Sequence, residues 1–310
     1  MPLESVSQPH EQSMPSGTVA DSKDQRESLR DILLWGQSRL VELDSREALL
    51  SVEQIVQHVT GLDRYRLYLN SNGTIEPVEA EAVRKLVERR KNREPLAYVL
   101  GRVSFWDLEL DVREGCLIPR PETEKLIEVV HESVGAAKKE DFRFLDLGCG
   151  SGAIGMAILR LYPKALATFC DISETALKMT QENLKKYQLE QRARIVASDL
   201  FQGFHESEKW DMIISNPPYV SVGDWAELEP EVLWEPQEAF VAGADGLFYY
   251  RSIFEQASRF LARNGKLFLE LGQGQSGAVI QMAERAGCID IECHPDDNGI
   301  QRVLIARWAG

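Results

Sequence analysis

FRFLDLGCGSGAIG, residues 142–155, is the stretch on which the fold turns. It opens as a short apolar run of one strand's length and breaks into a loop carrying Gly148, Gly150 and Gly152. Without a Cβ, glycine lets the backbone turn tightly and come close to a ligand. The same rhythm recurs downstream. ALATFCDIS, ARIVASDL, DMIISNPP and KLFLELG are short apolar runs ending in polar or glycine residues, separated by helical stretches such as SETALKMTQENLKKYQ. That alternation predicts a parallel sheet with helices on both faces. The last two runs, DIECHP and QRVLIARW, flank Asp296-Asp297-Asn298-Gly299 and predict an antiparallel hairpin at the sheet edge. The expected class is α/β and Rossmann-like, with a mostly parallel seven-stranded sheet.

Upstream the pattern differs. Residues 1–27, rich in Ser, Pro, Gln and charge, are expected to be disordered. Residues 28–94 read as a small all-α bundle. LRDILLWGQSRLVEL has apolar residues at helical spacing, SREALLSVEQIVQHVTG places Ser45 as cap with Glu47 in the first turn and Gly61 at the end, and PVEAEAVRKLVERRKNRE runs from Pro77 to before Pro95. VLGRVSFWDLELDV (99–112) alternates like a hairpin, so 95–118 reads as a β-hairpin linker to a domain over 119–310.

Composition narrows the function classes. The chain has 310 residues, 44% of them apolar, with no run near the ~18–20 residues of a membrane span. The first residues lack the basic start and apolar core of a secretory signal, and their acidic residues argue against a transit peptide. Five cysteines without a CxxC pair indicate neither a disulfide framework nor a zinc site, and a reducing cytoplasm is expected. Net charge is −14, and residues 101–310 hold 33 acidic against 22 basic residues, the wrong sign for tracking phosphates. The basic stretch VRKLVERRKNRE (83–94) reads as a solvated helix face.

Ligands of open α/β sheets bind beyond the carboxyl ends of the strands, which puts the polar tails first. The loop residues Asp146, Gly148, Cys149, Gly150, Ser151 and Gly152 are candidate cofactor contacts, with Cys149 read as a small packing residue. Asp171 ends the second run and suits two ribose hydroxyls, while Ser198, Asp199 and Leu200 suit an adenine wall. Gly148, Gly150 and Ala153 also satisfy the dinucleotide fingerprint, so loop and acid alone fit either S-adenosylmethionine or a nicotinamide cofactor. Asp146, two residues before the first glycine, favours a ligand with a cationic amino group.

The fourth tail is SNPPYV, residues 215–220. Two prolines fix φ and hold Asn216 and Pro217 extended. An amide or exocyclic amine is a poor nucleophile because its lone pair is delocalised. Two acceptors taking both N–H bonds would orient the nitrogen and favour its pyramidalisation as a methyl arrives. Asn216 Oδ1 and the Pro217 carbonyl are the candidate acceptors, Pro218 adds no N–H, and Tyr219 offers a π face that tolerates developing positive charge.

Together with REPLAYVLG (93–101), Phe105-Trp106, LIPRPETE (117–124), EPQEAF, GADGLFYYR and QRVLIARW, these motifs make residues 28–308 resemble the HemK/PrmC family of protein-(glutamine-N5) methyltransferases. The resemblance implies a class I S-adenosylmethionine-dependent fold, with S-adenosylhomocysteine as product, and a glutamine substrate in the Gly-Gly-Gln (GGQ) loop of peptide-chain release factors. It implies cofactor contacts from Gly148, Gly150, Gly152, Asp171 and Leu200, amide contacts from Asn216, Pro217 and Tyr219, and a substrate wall of Pro119, Arg120, Pro121 and Glu122. Arg120 fits either that wall or an ion pair with a local carboxylate. The helical domain would dock the release factor. The expected protein acts as a cytoplasmic monomer with no direct nucleic-acid or membrane partner. The rival readings are a nucleic-acid exocyclic-amine (adenine N6) methyltransferase, which would use the same Asn-Pro-Pro-Tyr chemistry on a flipped base, and a non-catalytic adaptor.

Overall fold

A computed structural model describes residues 27–135 and 141–308. The stretch expected to be disordered lies outside the described residues except for Glu27, whose carboxylate pairs with Arg84 at 2.6 Å. Five helices follow: α1 (Leu29–Arg39), α2 (Ser45–Thr60), α3 (Arg64–Leu69), α4 (Pro77–Lys91) and α5 (Leu96–Leu100). The cap of α2 is Asp44 rather than Ser45. Its carboxylate accepts from Arg46 N and Glu47 N, satisfying two of the amides that a helix start leaves unpaired and placing negative charge at the positive end. Gly61 ends α2 in the left-handed region, and Pro77 opens α4. The apolar faces close over Ile32, Val52, Ile55, Val56, Leu67, Val83 and Val87, all fully buried. Each contributes roughly 1.5–3 kcal/mol of transfer free energy.

The hairpin β1 (Arg102–Phe105) and β2 (Leu108–Asp111) is antiparallel and pairs Arg102 with Asp111. It leans on α8 (Glu174–Lys186), where Asn183 Oδ1 accepts from Asp111 N and its Nδ2 donates to Asp111 O. Phe105, Leu108 and Leu110 join the core of the large sheet.

That sheet runs β5-β4-β3-β6-β7-β9-β8. Strands β3 (Arg143–Leu147), β4 (Leu166–Asp171), β5 (Ala193–Ala197), β6 (Trp210–Ser215) and β7 (Leu261–Glu270) are parallel, and β8 (Cys288–Pro295) with β9 (Gln301–Trp308) forms the antiparallel edge. Helices α6 (Glu124–Val134), α7 (Ala153–Leu161), α8, α9 (Val222–Trp225), α10 (Phe248–Gln256) and α11 (Ser276–Arg285) complete the domain. Alternate residues of β3 feed opposite faces, Phe144 into one core and Leu145 and Leu147 into the other. The chain winds outward from β3 through β5 and then restarts at β6 on β3's other side, so the order reverses between β3 and β6. A crevice opens there, and the glycine loop and SNPPYV lie side by side on it. Among the described residues, no helix is long and apolar enough to cross a membrane.

Candidate active site

The crevice holds a cavity lined by Gly148, Gly150, Asp171, Ser198, Asp199 and Leu200 on one side and Ser215, Asn216, Pro217 and Pro218 on another. The glycine loop is folded back on β4: Gly148 N and Cys149 N both donate to Cys170 O, at 2.8 and 2.9 Å. Gly148 and Gly150 have φ of 74° and 57°, a region in which a side chain would be strained. Asp171 accepts from Gly150 N through Oδ2 and from Ser173 N through Oδ1, both at 2.9 Å. Burial pushes its carboxyl above the usual range, opposed by backbone N–H groups of Ser173, Gly150 and Ile172. Each oxygen keeps a lone pair for a ligand hydroxyl.

Other loop residues turn away from the cavity. Cys149 is buried against Thr180, and burial holds its thiol well above the ordinary value, which suits packing rather than nucleophilic chemistry. Ser151 is buried, with its carbonyl accepting from Asn183, and Gly152 caps α7. Asp146, expected near a cationic group, does not line the cavity. It is fully buried behind the loop, where Oδ2 accepts from Gly155 N at 2.8 Å and Oδ1 has no partner among the described residues. Burial pushes its carboxyl up to about 7.

At the end of β6, Ser215 Oγ donates to Leu147 O at 2.6 Å and ties the two strand tails together. Asn216 Nδ2 donates to Thr123 Oγ1 at 3.1 Å, and among the described residues none donates to Oδ1. The next residues are clamped. Gln275 Nε2 donates to Tyr219 O, Val220 N donates to Phe240 O, and Val220 O accepts from Ala242 N. Two glycines make room for this path: a Cβ on Gly246 would fall 2.4 Å from Tyr219 O, and one on Gly272 3.0 Å from Tyr219 Cδ2. Tyr219 is packed beside the cavity rather than lining it. Burial first and the charge of Glu270 second push its hydroxyl up to about 12.

LIPRPETE crosses the far side. Pro119 is half-buried, and Pro121 and Glu122 open onto a neighbouring cleft with Glu124, Lys125, Glu128, Asp296, Asp297 and Asn298. Arg120 forms an ion pair, but with the distant Glu235 rather than a local carboxylate, and its guanidinium lies 5.9 Å from the Phe240 ring centroid. Glu235 also accepts from Ile118 N at 2.8 Å. Residues 235–240 form a strap whose Pro236, Glu238 and Ala239 line the cavity. Four residues further back, Glu231 pairs with Arg90 of α4 at 2.9 Å and with Arg93 at 2.5 Å.

The motif reading did not single out Thr123, Glu235, Tyr249 or Glu270. Tyr249 lines the cavity. Glu270 ends β7, buried, and burial above all pushes its carboxyl up to about 7. The signal for Glu270 was available, since it is the polar tail of the run KLFLELG.

Residues 123–235 match the family model "Methyltransferase small domain", and residues 31–101 match "PrmC N-terminal domain". The release factor glutamine methyltransferase of Thermodesulfovibrio yellowstonii is 39% identical over 254 residues, covering 82% of this chain and 90% of that protein. The enzyme of the same name from Geobacter sulfurreducens is 36% identical, covering 90% of this chain and 96% of its own length. Among solved structures, the hMettl16 catalytic domain in complex with the MAT2A 3'UTR hairpin 6 shares the fold at a TM-score of 0.53 and 14% identity, covering 76% of this chain and 83% of that one. With matches that run the length of the relatives and include both the helical region and the domain that carries the cavity, the chain belongs to the release factor glutamine methyltransferase family.

Proposed function

We propose that this chain transfers a methyl group from S-adenosylmethionine to the side-chain amide nitrogen (N5) of the glutamine in the GGQ motif of peptide-chain release factors, leaving S-adenosylhomocysteine. The observation that carries the reading is Asn216, an amide anchored through Nδ2 with its carbonyl oxygen free at the cavity beside the Pro217 carbonyl. Those two oxygens take the two N–H bonds of the substrate amide. The nitrogen lone pair is thereby turned out of conjugation and toward the methyl carbon. The N–C bond forms as the C–S bond breaks, and the extra proton on nitrogen leaves to water.

S-adenosylmethionine supplies an electrophilic methyl on a cationic sulfonium. Asp171 would take the ribose hydroxyls on its remaining lone pairs, and Leu200 and Tyr249 would flank the adenine. Asp171, Asp199 and Glu238 surround the cavity with negative charge suited to a cation.

In this reading residues 28–94 dock the release factor, 95–118 link, and 119–310 carry the chemistry of a cytoplasmic monomer. The acidic surplus of 101–310 supports a protein rather than a nucleic-acid substrate. Incubation with labelled methyl donor and release factor, its Gln→Ala loop variant, or RNA and DNA should label only the first. Label on the variant as well, or only on nucleic acid, would overturn the reading.

A further inference from the structure

Asn216 and Pro217 can act as acceptors only if the loop that carries them stays in one place, and that loop cannot hold itself. Pro217 and Pro218 have no N–H, so the Pro217 carbonyl is fixed by whatever pins the residues on either side. Upstream, the Ser215 and Asn216 side chains bond Leu147 O and Thr123 Oγ1. Downstream, Val220 is paired with Phe240 and Ala242, and Tyr219 O meets a second main-chain acceptor, Gly246 O. The amide of Gln275 stands between them, Nε2 donating to Tyr219 O at 2.9 Å and to Gly246 O at 3.3 Å. The segments lie so close that a Cβ on Gly246 would fall 2.8 Å from that nitrogen. Two carbonyls brought together need a donor each, and an amide NH2 supplies both. We propose that Gln275 is the positioning residue that sets where the Asn-Pro-Pro-Tyr loop stands against the segment leading into α10. This deepens the proposed reaction and rests on that reading of Asn216 and Pro217.

Gln275 is mounted on rigid ground. Its own N–H donates to Gly272 O at 3.1 Å, and its carbonyl accepts from Val279 N at 3.0 Å at the start of α11. Gly272 N in turn donates at 3.3 Å to the hydroxyl of the buried Tyr250. Three residues beyond Gly246, Tyr249 lines the cavity, so one amide ties the substrate side of the site to the cofactor side. The amide works through its nitrogen: Oε1 is buried with no partner among the described residues, and the flipped rotamer would press that oxygen against two carbonyls. Gly272 gives the amide its space. A Cβ there would fall 2.4 Å from Gln275 Oε1 and 2.9 Å from its Cδ, the movable end of a flexible side chain, and 3.0 Å from Tyr219 Cδ2. An alanine at 272 would therefore push the amide off its two acceptors.

Methyl transfer by the full chain to the release factor tests the idea. Gln275→Met keeps the bulk of the side chain and loses both donors. A displaced loop spoils alignment without removing a binding contact, so kcat should fall about 10- to 100-fold, while KM for the release factor and calorimetric affinity for S-adenosylhomocysteine stay within about threefold. Gly272→Ala should lose kcat to a similar degree, and adding it to Gln275→Ala should cost less than about threefold more than Gln275→Ala alone. A second readout needs no turnover. In protein carrying fluorotyrosine, the fluorine signal of Tyr219, assigned by its loss in Tyr219→Phe, should shift or broaden in Gln275→Met. A Gln275→Met enzyme as fast as the parent, a loss confined to KM, costs of Gly272→Ala and Gln275→Ala that multiply, or a Tyr219 signal that does not move would each overturn the inference. A parent that labels no release factor would sink the proposed substrate instead, and the Tyr219 signal would still decide the role of Gln275.

Discussion

Replacing Arg120 with alanine isolates what its pairing with Glu235 does. The Glu235 side chain is 1% exposed, and Arg120 and the Ile118 amide are its hydrogen-bond donors. Removing one partner of a fully buried ion pair costs about 3–5 kcal/mol, because the other charge is left in a poorly solvating interior. Arg120 is itself 32% exposed and Glu235 keeps the Ile118 N–H, so the loss expected for Arg120→Ala is about 2–3 kcal/mol. Glu235→Gln retains an acceptor for Ile118 and removes the charge, so the double variant should recover at least about 1 kcal/mol relative to Arg120→Ala.

The loss should also depend on pH. Burial already raises the Glu235 carboxyl in the parent although Arg120 lowers it, and without Arg120 the value rises further. A raised folded-state value means stability that is present at low pH and lost as pH climbs through that value. The deficit of Arg120→Ala should therefore be largest near pH 8 and narrow toward the ordinary carboxylate range. Urea denaturation followed by tryptophan fluorescence, run at both ends of that range, measures it. A variant as stable as the parent at pH 8, or a deficit that Glu235→Gln does not relieve, would refute the reasoning.

Three further outcomes are expected. Asn216→Ala should lower methyl transfer by about 100-fold or more, the scale of losing one preorganised contact to the transition state, while calorimetry finds cofactor affinity within about threefold of the parent. Asp171→Ala should weaken cofactor binding by roughly 10- to 100-fold, as loss of hydrogen bonds to a charged group implies. In the parent, the raised Asp146 carboxyl should make stability fall as pH rises from about 4 toward 7, and in Asp146→Asn that component of the denaturation profile should be absent.

The β-strands were legible because each is a compact apolar run with a polar tail, and the hydrophobic pattern alone separates them. The short helices α3 and α5 were not, since six and five residues are too few to show a helical period. Asp44 and Ser45 are adjacent and both residue types cap helices, so only the geometry shows which side chain reaches the amides. In the site, Asp171 and Asn216 announced themselves by position at strand ends. Thr123 and Glu235 matter through partners 93 and 115 residues away, and pairings across that distance leave no local pattern. Asp146, Cys149 and Ser151 sit in the right loop but point inward, a distinction of side-chain direction that spelling does not carry.

The pairing of Glu231 with Arg90 and Arg93 bears on how such proteins can be rebuilt. A docking module that merely recruits a partner could be exchanged for another with the catalytic half left whole. Here α4 grips, through Arg90, the segment that leads into a wall of the cavity, so the helical region braces that wall from behind. A chimaera with a foreign helical module would have to reproduce that grip, and shortening the chain to its sheet domain would leave Glu231 without its two arginines.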